Sequence, residues 1–421
     1  LAAKYGGGIF LLIYIVLALT FGYTMIVAES ALGRMTRKSP VSAFQSFGKK
    51  KWMSFGGWIN AVIPILIVPY YSVIGGWVIK YLIEYFAGHS KTLAGDAYFT
   101  TFISNGWSTE ICFIIFTLFT LGIIYAGVRN GIERVSKFMM PILIVLSLII
   151  AVYSVTRPGA IEGVKYFLVP NFDHFSWMTV VSAMGQMFYS LSIAMGILIT
   201  FGSYMKKDTS IEKSTENVEI FDTAIAIMAG LMIIPAVFAF SGGNAETLKS
   251  GPALMFITIP KVFANMGFGT AIGVVFFLLV LFAAVTSSIA LTESAVSTFE
   301  DELHWSRKKS TVFMGMVMLL LGTLSCLGYG PLANFKILGM QFLDFFDFIT
   351  NSVMMPIAAI ATCLLVSKVV GVDKIEEEIK KDGQAFRRKK IFCFMIKYLC
   401  PLFAAIILIS SVANAFGIIT M

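Results

Sequence analysis

Apolar runs of about 20 residues recur along the whole chain with short polar stretches between them, and a helix rising 1.5 Å per residue needs about that many to cross the hydrocarbon of a bilayer. Ten such runs are predicted as membrane-crossing helices: Gly8 to Leu32, Gly57 to Phe86, Ser108 to Gly127, Phe138 to Val155, Trp177 to Phe201, a helix ending near Phe240, Gly269 to Thr298, Thr311 to Leu327, Ile337 to Val366 and Ile391 to Ile419. Between Gly251 and Phe268, Pro252 and Pro260 split an apolar stretch into pieces too short to span, which predicts a re-entrant or surface hairpin within a loop, 242–268, suited to act as a lid. The pattern therefore predicts one all-α polytopic membrane domain over residues 1–421.

Composition agrees, with 57% hydrophobic residues, 13% charged residues and a mean hydropathy of +0.84, too few charges to cover the surface of a water-soluble domain. A net charge of +8 would suit a nucleic-acid partner if the basic residues were clustered in one place. Instead they fall in alternate loops: Arg34, Arg37, Lys38 and Lys49 to Lys51, then Arg129, Arg134 and Lys137, then Lys206, Lys207 and Lys213, then Arg307 to Lys309, then a set from Lys368 to Lys390. If the first helix runs inward, about 23 basic residues lie inside against about 7 outside, and short basic loops stay cytoplasmic. The expected location is a cell membrane with the basic loops in the cytoplasm, and the expected partner is the bilayer rather than a nucleic acid. The five cysteines have no metal or disulfide spacing, the three histidines are isolated in loops, and no nucleophile with a base is evident, so an enzyme is not expected.

Polar groups at bilayer depth need partners and mark candidate sites, and three places qualify. Gly185 to Gly196 sets Gln186, Ser190 and Ser192 among small residues in mid-helix. A helix broken here would offer free half-helix ends to a carboxylate and to cations; close packing through small residues is the alternative. Ala283, Thr286, Ser287 and Leu291 share one helical stripe, so a carbonyl and two hydroxyls can converge on a hard cation, or simply pack. Asp222 lies roughly 18 Å into the membrane if its helix starts at the Thr209–Glu212 capping-box spacing, and at the interface if the helix starts near Glu219. Glu29, beside Ser30 and Arg34, is open to the same two readings.

Together, Tyr5-Gly-Gly-Gly-Ile-Phe10, Ala28-Glu-Ser-Ala-Leu-Gly-Arg34, Gly185-Gln-Met-Phe-Tyr-Ser-Leu-Ser192, Thr286-Ser-Ser-Ile-Ala290, Phe299-Glu-Asp-Glu-Leu303 and Leu343-Asp-Phe-Phe346 resemble the neurotransmitter:sodium symporter family in its bacterial amino-acid-transporter branch. The resemblance implies the leucine-transporter-type inverted five-plus-five repeat, of which this chain matches helices two to eleven, ten of an expected eleven. It also implies a sodium-coupled symporter that works by alternating access. By position, Ser190 and Asp222 match the first sodium site, and Ala283, Thr286 and Ser287 match part of the second. Ile67, Tyr71, Tyr189, Ser190, Ser192, Met195 and Leu291 match the substrate pocket, with Tyr71 on the substrate carboxylate and Tyr189 as a lid. Asp344 matches the acid of the outer gate, Tyr14 and Gln186 match the surroundings of the chloride site of chloride-dependent members, and Glu29 matches a buried acid of the second helix.

Where chloride-dependent members carry Asn, this chain has Asp222, a fixed carboxylate that would replace the anion, so chloride-independent transport is expected. Ala194 stands where many relatives have Gly at the sixth-helix break. Apolar Ile67, Met195 and Leu291 favour a neutral hydrophobic or aromatic amino acid as substrate. The chain opens at Leu1 without Met and passes from three glycines straight into an apolar run; the family's first helix is expected to precede it and to complete both sodium sites, so that the chain alone would be inactive. A carrier of another family with this fold, or a channel or non-transporting scaffold, is the alternative reading.

Overall fold

The computed structural model describes residues 1–48, 50–242 and 251–417, the side chain of Asp382 excepted. Eleven long or broken segments cross the molecule among the described residues: α1 (Gly8–Thr36), α2 (Lys51–Phe86), α3 (Gly106–Tyr125), α4 (Val128–Val155), the half-helices α5 (Trp177–Ser190) and α6 (Ile197–Tyr204), α7 (Ile211–Ser241), α8 (Gly269–Leu303), α9 (Arg307–Leu327), α10 (Phe342–Val370) and α11 (Lys389–Ala415). Nine of these are long and apolar enough to span a membrane by themselves. The remaining predicted run, Trp177 to Phe201, is the pair α5 and α6.

Several helices outrun their apolar runs. The first continues from Leu32 to Thr36, α2 begins at Lys51 rather than Gly57, and α4 begins at Val128 rather than Phe138. Hydropathy locates the stretch inside the hydrocarbon, whereas these ends are polar turns carried on by backbone hydrogen bonds. The Thr209–Glu212 capping box is corrected by one residue: the Ser210 side chain accepts the Lys213 amide at 3.2 Å, and Ile211 opens α7. Asp222 therefore lies deep in α7. Within the predicted lid, Leu254–Thr258 and Ile259–Ala264 form a short bent helix; residues 243–250 of that loop, Lys49, and the last span beyond Gly417 lie outside the described residues.

Two long helices, α2 and α8, run against each other through the centre, and α9 packs on α2 and α3 while α7 packs on α4. Half-helix α6 lies on α1 because both present glycine: a Cβ at Gly33 would come within 2.0 Å of the Ile199 carbonyl oxygen, and one at Gly202 within 2.6 Å of the Ser30 carbonyl oxygen. At the end of the bundle that carries the basic loops, Arg34 is buried. Its Nε donates to Glu378 Oε1 at 2.7 Å, its Nη1 to the Thr209 carbonyl at 2.5 Å and its Nη2 to the Glu378 carbonyl. Glu378 belongs to the amphipathic helix Val372–Ile379, whose Val372, Ile375 and Ile379 are buried. One guanidinium thus joins α1, the start of α7 and the α10–α11 connection.

Removing one member of a buried, hydrogen-bonded ion pair strands its partner and costs about 3–5 kcal/mol. Arg34→Ala is expected to lower thermal stability by that order in detergent unfolding, with most of the loss recovered in Arg34→Met/Glu378→Met. Equal losses in the single and double variants would show that the pair is not what holds these segments.

Candidate functional site

Between α5 and α6 the chain leaves the helix over Leu191 to Gly196, and Ser192, Ala194 and Gly196 take left-handed backbones with φ of 54°, 58° and 70°. Two of the three are not glycine, a strained arrangement that persists only where the surroundings enforce it. Gly196 is enforced by space as well, since a Cβ there would meet Pro40 Cγ at 2.7 Å and the Asn60 carbonyl oxygen at 2.8 Å. Ala194 is enforced by a hydrogen bond: its amide donates to Glu29 Oε1 at 2.9 Å. Glu29 is fully buried, and its Oε2 has no hydrogen-bond partner among the described residues. Bilayer hydrocarbon offers no water to a freed amide, so the carboxylate of α1 takes that role. The Ala at position 194 does not prevent the break.

The break forms the wall of a cavity of about 170 Å³ lined by Ile67, Tyr71, Tyr189, Ser190, Ser192, Met195, Ile197, Ser287, Ala290 and Leu291. All seven residues singled out for the substrate pocket line it, drawn from α2, the α5–α6 break and α8. The Tyr71 phenol interacts with the Ser287 hydroxyl across it. Ile67, Met195 and Leu291 are buried and give an apolar side; the serines and tyrosine hydroxyls give a polar one. Tyr189 keeps 37% of its surface exposed and stands at the rim.

Behind Ser190 lies a polar triad. The Tyr14 hydroxyl donates to Asp222 Oδ2 at 2.6 Å and lies 3.0 Å from Ser190 Oγ, and the Ser190 hydroxyl donates to Asp222 Oδ1 at 2.7 Å. The two hydroxyl bonds hold the Asp222 carboxyl group in place. Ser190 also faces a second recess of about 310 Å³ that Tyr14 and Gln186 line. Helices α1, α5 and α7 thus meet at one depth.

The α8 stripe is assembled only in part. Ser287 is exposed on the cavity wall, whereas the Thr286 hydroxyl donates to the Ala283 and Phe282 carbonyls of its own helix at 3.0 and 3.1 Å, and neither Thr286 nor Ala283 lines the cavity. Asp344 accepts from the Tyr329 hydroxyl at 3.1 Å, away from the cavity. One turn on, Asp347, which the sequence reading passed over, accepts from Asn351 Nδ2 at 2.6 Å and from the Tyr70 hydroxyl at 3.2 Å, and lies close enough to Tyr189 to act on it electrostatically. An i, i+3 pair of acids entering an apolar helix was the available signal. Also unforeseen is a cluster at the basic-loop end: Tyr204 of α6 donates to Glu293 Oε1 at 2.7 Å, and Arg307 grips the same buried carboxylate at 3.1 and 2.5 Å.

The sequence profile of the Sodium:neurotransmitter symporter family matches residues 1–117 and 100–418. An uncharacterized sodium-dependent transporter of Bacillus subtilis, YhdH, is 32% identical over 100% of the chain and 92% of its own length. An uncharacterized sodium-dependent transporter of Haemophilus influenzae is 29% identical over 98% of the chain and 92% of its own length. Among solved structures, the crystal structure of MhsT in complex with L-phenylalanine superposes with a TM-score of 0.87 at 32% identity, covering 97% of this chain and 92% of that one. The fold is the leucine-transporter type expected.

Because Glu29 satisfies the Ala194 amide, Glu29→Gln, which keeps an acceptor, is expected to leave the break intact. Glu29→Ala strands a buried N–H and costs about 1–3 kcal/mol. Amide hydrogen exchange over residues 191–196 checks this: exchange should rise in the Ala variant alone, and equal protection in all three proteins would remove Glu29 from the role.

Proposed function

The chain belongs to the Sodium:neurotransmitter symporter family, and on that premise we propose that it carries a neutral, hydrophobic or aromatic amino acid into the cell with sodium, by alternating access and without chloride. The observation that carries this reading is the convergence of Ile67, Tyr71, Tyr189, Ser190, Ser192, Met195 and Leu291 on one 170 Å³ cavity at a broken helix. That volume falls below the roughly 300–1,000 Å³ of sites for drug-sized ligands and suits one small solute. Its apolar side matches the side chain, and its polar side matches the charged ends. The carbonyl end of α5 is the negative end of a helix and suits the ammonium group and sodium, while the Tyr71 hydroxyl suits the carboxylate. L-phenylalanine, the ligand in the MhsT structure, has this chemistry.

In this reading Ser190 and Asp222 belong to one sodium site and Ser287, with Ala283 and Thr286 on the same helix, to a second; Thr286 turns its hydroxyl from its own carbonyls to the cation when the ion enters. Both sites need further ligands beyond these side chains. Asp222 supplies the negative charge that chloride supplies elsewhere. Tyr189 and Asp347, with Tyr70 and Asn351, form the outer gate in preference to Asp344, because Asp347 acts electrostatically on Tyr189 whereas Asp344 is held by Tyr329 away from the cavity. The Tyr204–Glu293–Arg307 cluster closes the opposite, cytoplasmic side. A cavity separated from the basic-loop end by this cluster suits a carrier better than a channel.

The full-length protein in liposomes is expected to accumulate phenylalanine under an inward sodium gradient, equally well when gluconate replaces chloride. Asp222→Ala is expected to abolish uptake. A chloride requirement in the parent, or uptake persisting in Asp222→Ala, overturns the role given to this carboxylate.

Loss of one neutral sodium ligand worth about 1.4 kcal/mol corresponds to a tenfold change in affinity. Ser287→Ala is expected to raise the sodium concentration for half-maximal uptake by roughly that factor with the fold unchanged. A sodium dependence identical to the parent's would take Ser287 out of the cation site.

A further inference from the structure

A recess of about 510 Å³ opens on the outside of the bundle where the end of α3 meets the start of α9. Its mouth is basic and aromatic. Lys309 Nζ stands 4.0 Å from the ring centroid of Trp305, and Lys308 Nζ 5.7 Å from that of Tyr125. Below the mouth the wall is apolar, and Val312 and Met316 lead on to Leu320 at i, i+4 and i+8, a continuous strip with 58%, 57% and 67% of each residue exposed. Arg307 fixes the geometry, because its Nε donates to the Ile124 carbonyl at 2.9 Å while its other nitrogens hold Glu293.

The two lysines are not neutralised. Among the described residues neither forms an ion pair, and the nearby acids that end α8 are engaged elsewhere: Glu300 lies 3.5 Å from Arg307, Asp301 accepts the Ser39 amide at 2.6 Å, and Glu302 accepts the Ser42 hydroxyl at 2.6 Å. A lone lysine at a helix end simply extends to water. Two of them over aromatic faces, at the head of an apolar groove that runs into the hydrocarbon, make a complementary pair of surfaces for a molecule with an anionic head and a long apolar tail.

We propose that this recess binds an anionic glycerophospholipid of the surrounding leaflet, with its phosphate between Lys308 and Lys309 and one acyl chain along Val312, Met316 and Leu320. Zwitterionic lipid fits the groove but not the charge.

Trp305 is a built-in reporter. The full-length protein would be placed in phosphatidylcholine bilayers containing a minor fraction of brominated phosphatidylglycerol or, separately, brominated phosphatidylcholine, and Trp305 emission isolated by difference from Trp305→Phe. Brominated phosphatidylglycerol is expected to quench at roughly thirtyfold lower mole fraction, the order of enrichment two lysines give at an anionic surface. Lys308→Gln/Lys309→Gln is expected to bring the two lipids level, and each single variant to remove part of the preference, so the comparison survives if the double variant is poorly folded. Equal quenching in the parent overturns the proposal, as does a preference that persists in the variants. Release of the brominated phosphatidylglycerol by inorganic phosphate would assign the recess to a soluble anion and overturns the lipid reading as well.

Discussion

A helix cannot stop inside hydrocarbon without a replacement for every backbone hydrogen bond it gives up, and the arrangement around Leu191 to Gly196 follows from that constraint. The freed amide of Ala194 is taken by a carboxylate from another helix, so Glu29 must be buried and α1 must lie against the break. Close approach of α1 and α6 then requires Gly33 and Gly202, since any larger residue would meet backbone oxygen. Ser192 and Ala194, held with positive φ, give the chain the turn that opens the cavity. The unwound turn supplies the site with polar backbone and hydroxyls at a depth where an intact helix would have offered only side chains.

The polar contacts fall into two groups with different mechanical meaning. Around the start of α7, Glu212 accepts the Tyr23 hydroxyl and the Arg387 and Arg388 amides, Arg388 pairs with Glu219, and Arg34 pairs with Glu378. These bonds are multiple, mutually buttressed and run between α1, α7 and the α10–α11 connection, so they hold those elements as one block. In contrast α6 is tied to α8 by hydroxyl groups alone, Tyr204 on Glu293 and Thr200 with Ser294 and Ser297, while Arg307 keeps that carboxylate satisfied from the other side. Breaking the Tyr204 bond leaves no stranded charge. An interface whose separation strands no charge is the natural place for a bundle to part.

Much of the fold was legible, and so was the gathering of the candidate pocket residues. Ten apolar runs placed the spans, and small and polar residues in mid-run located the break, because both signals depend on local composition. What remained hidden depends on rotation and termination. Hydropathy cannot see polar turns that extend α1, α2 and α4 past the hydrocarbon. Asp344 and Asp347 lie one turn apart on α10, and only the packing of α10 on α2 decides that the second meets Tyr70. Thr286 and Ser287 are adjacent in sequence yet differ in use, one hydroxyl spent on its own helix and the other on the cavity wall. The role of Arg307 was invisible because its partner, Glu293, is fourteen positions away across a reversal of the chain.

If a cation binds beside Ser190, as proposed, the triad at Asp222 sets how closely a carboxylate approaches it. Both hydroxyl protons, from Tyr14 and Ser190, point at the carboxylate, so the Ser190 oxygen turns its remaining lone-pair density away from Asp222 and is free to face an ion. A cation there would feel the charge at one remove, at roughly 6 Å, where the attraction at an effective dielectric of about 20 is about 3 kcal/mol. That offsets part of one ion's desolvation. A carboxylate in direct contact would hold the ion several kcal/mol more tightly, and a neutral amide in its place would need a mobile anion to arrive with each cycle. The second acid near the break, Glu29, has one oxygen committed to the Ala194 amide and does not line the cavity.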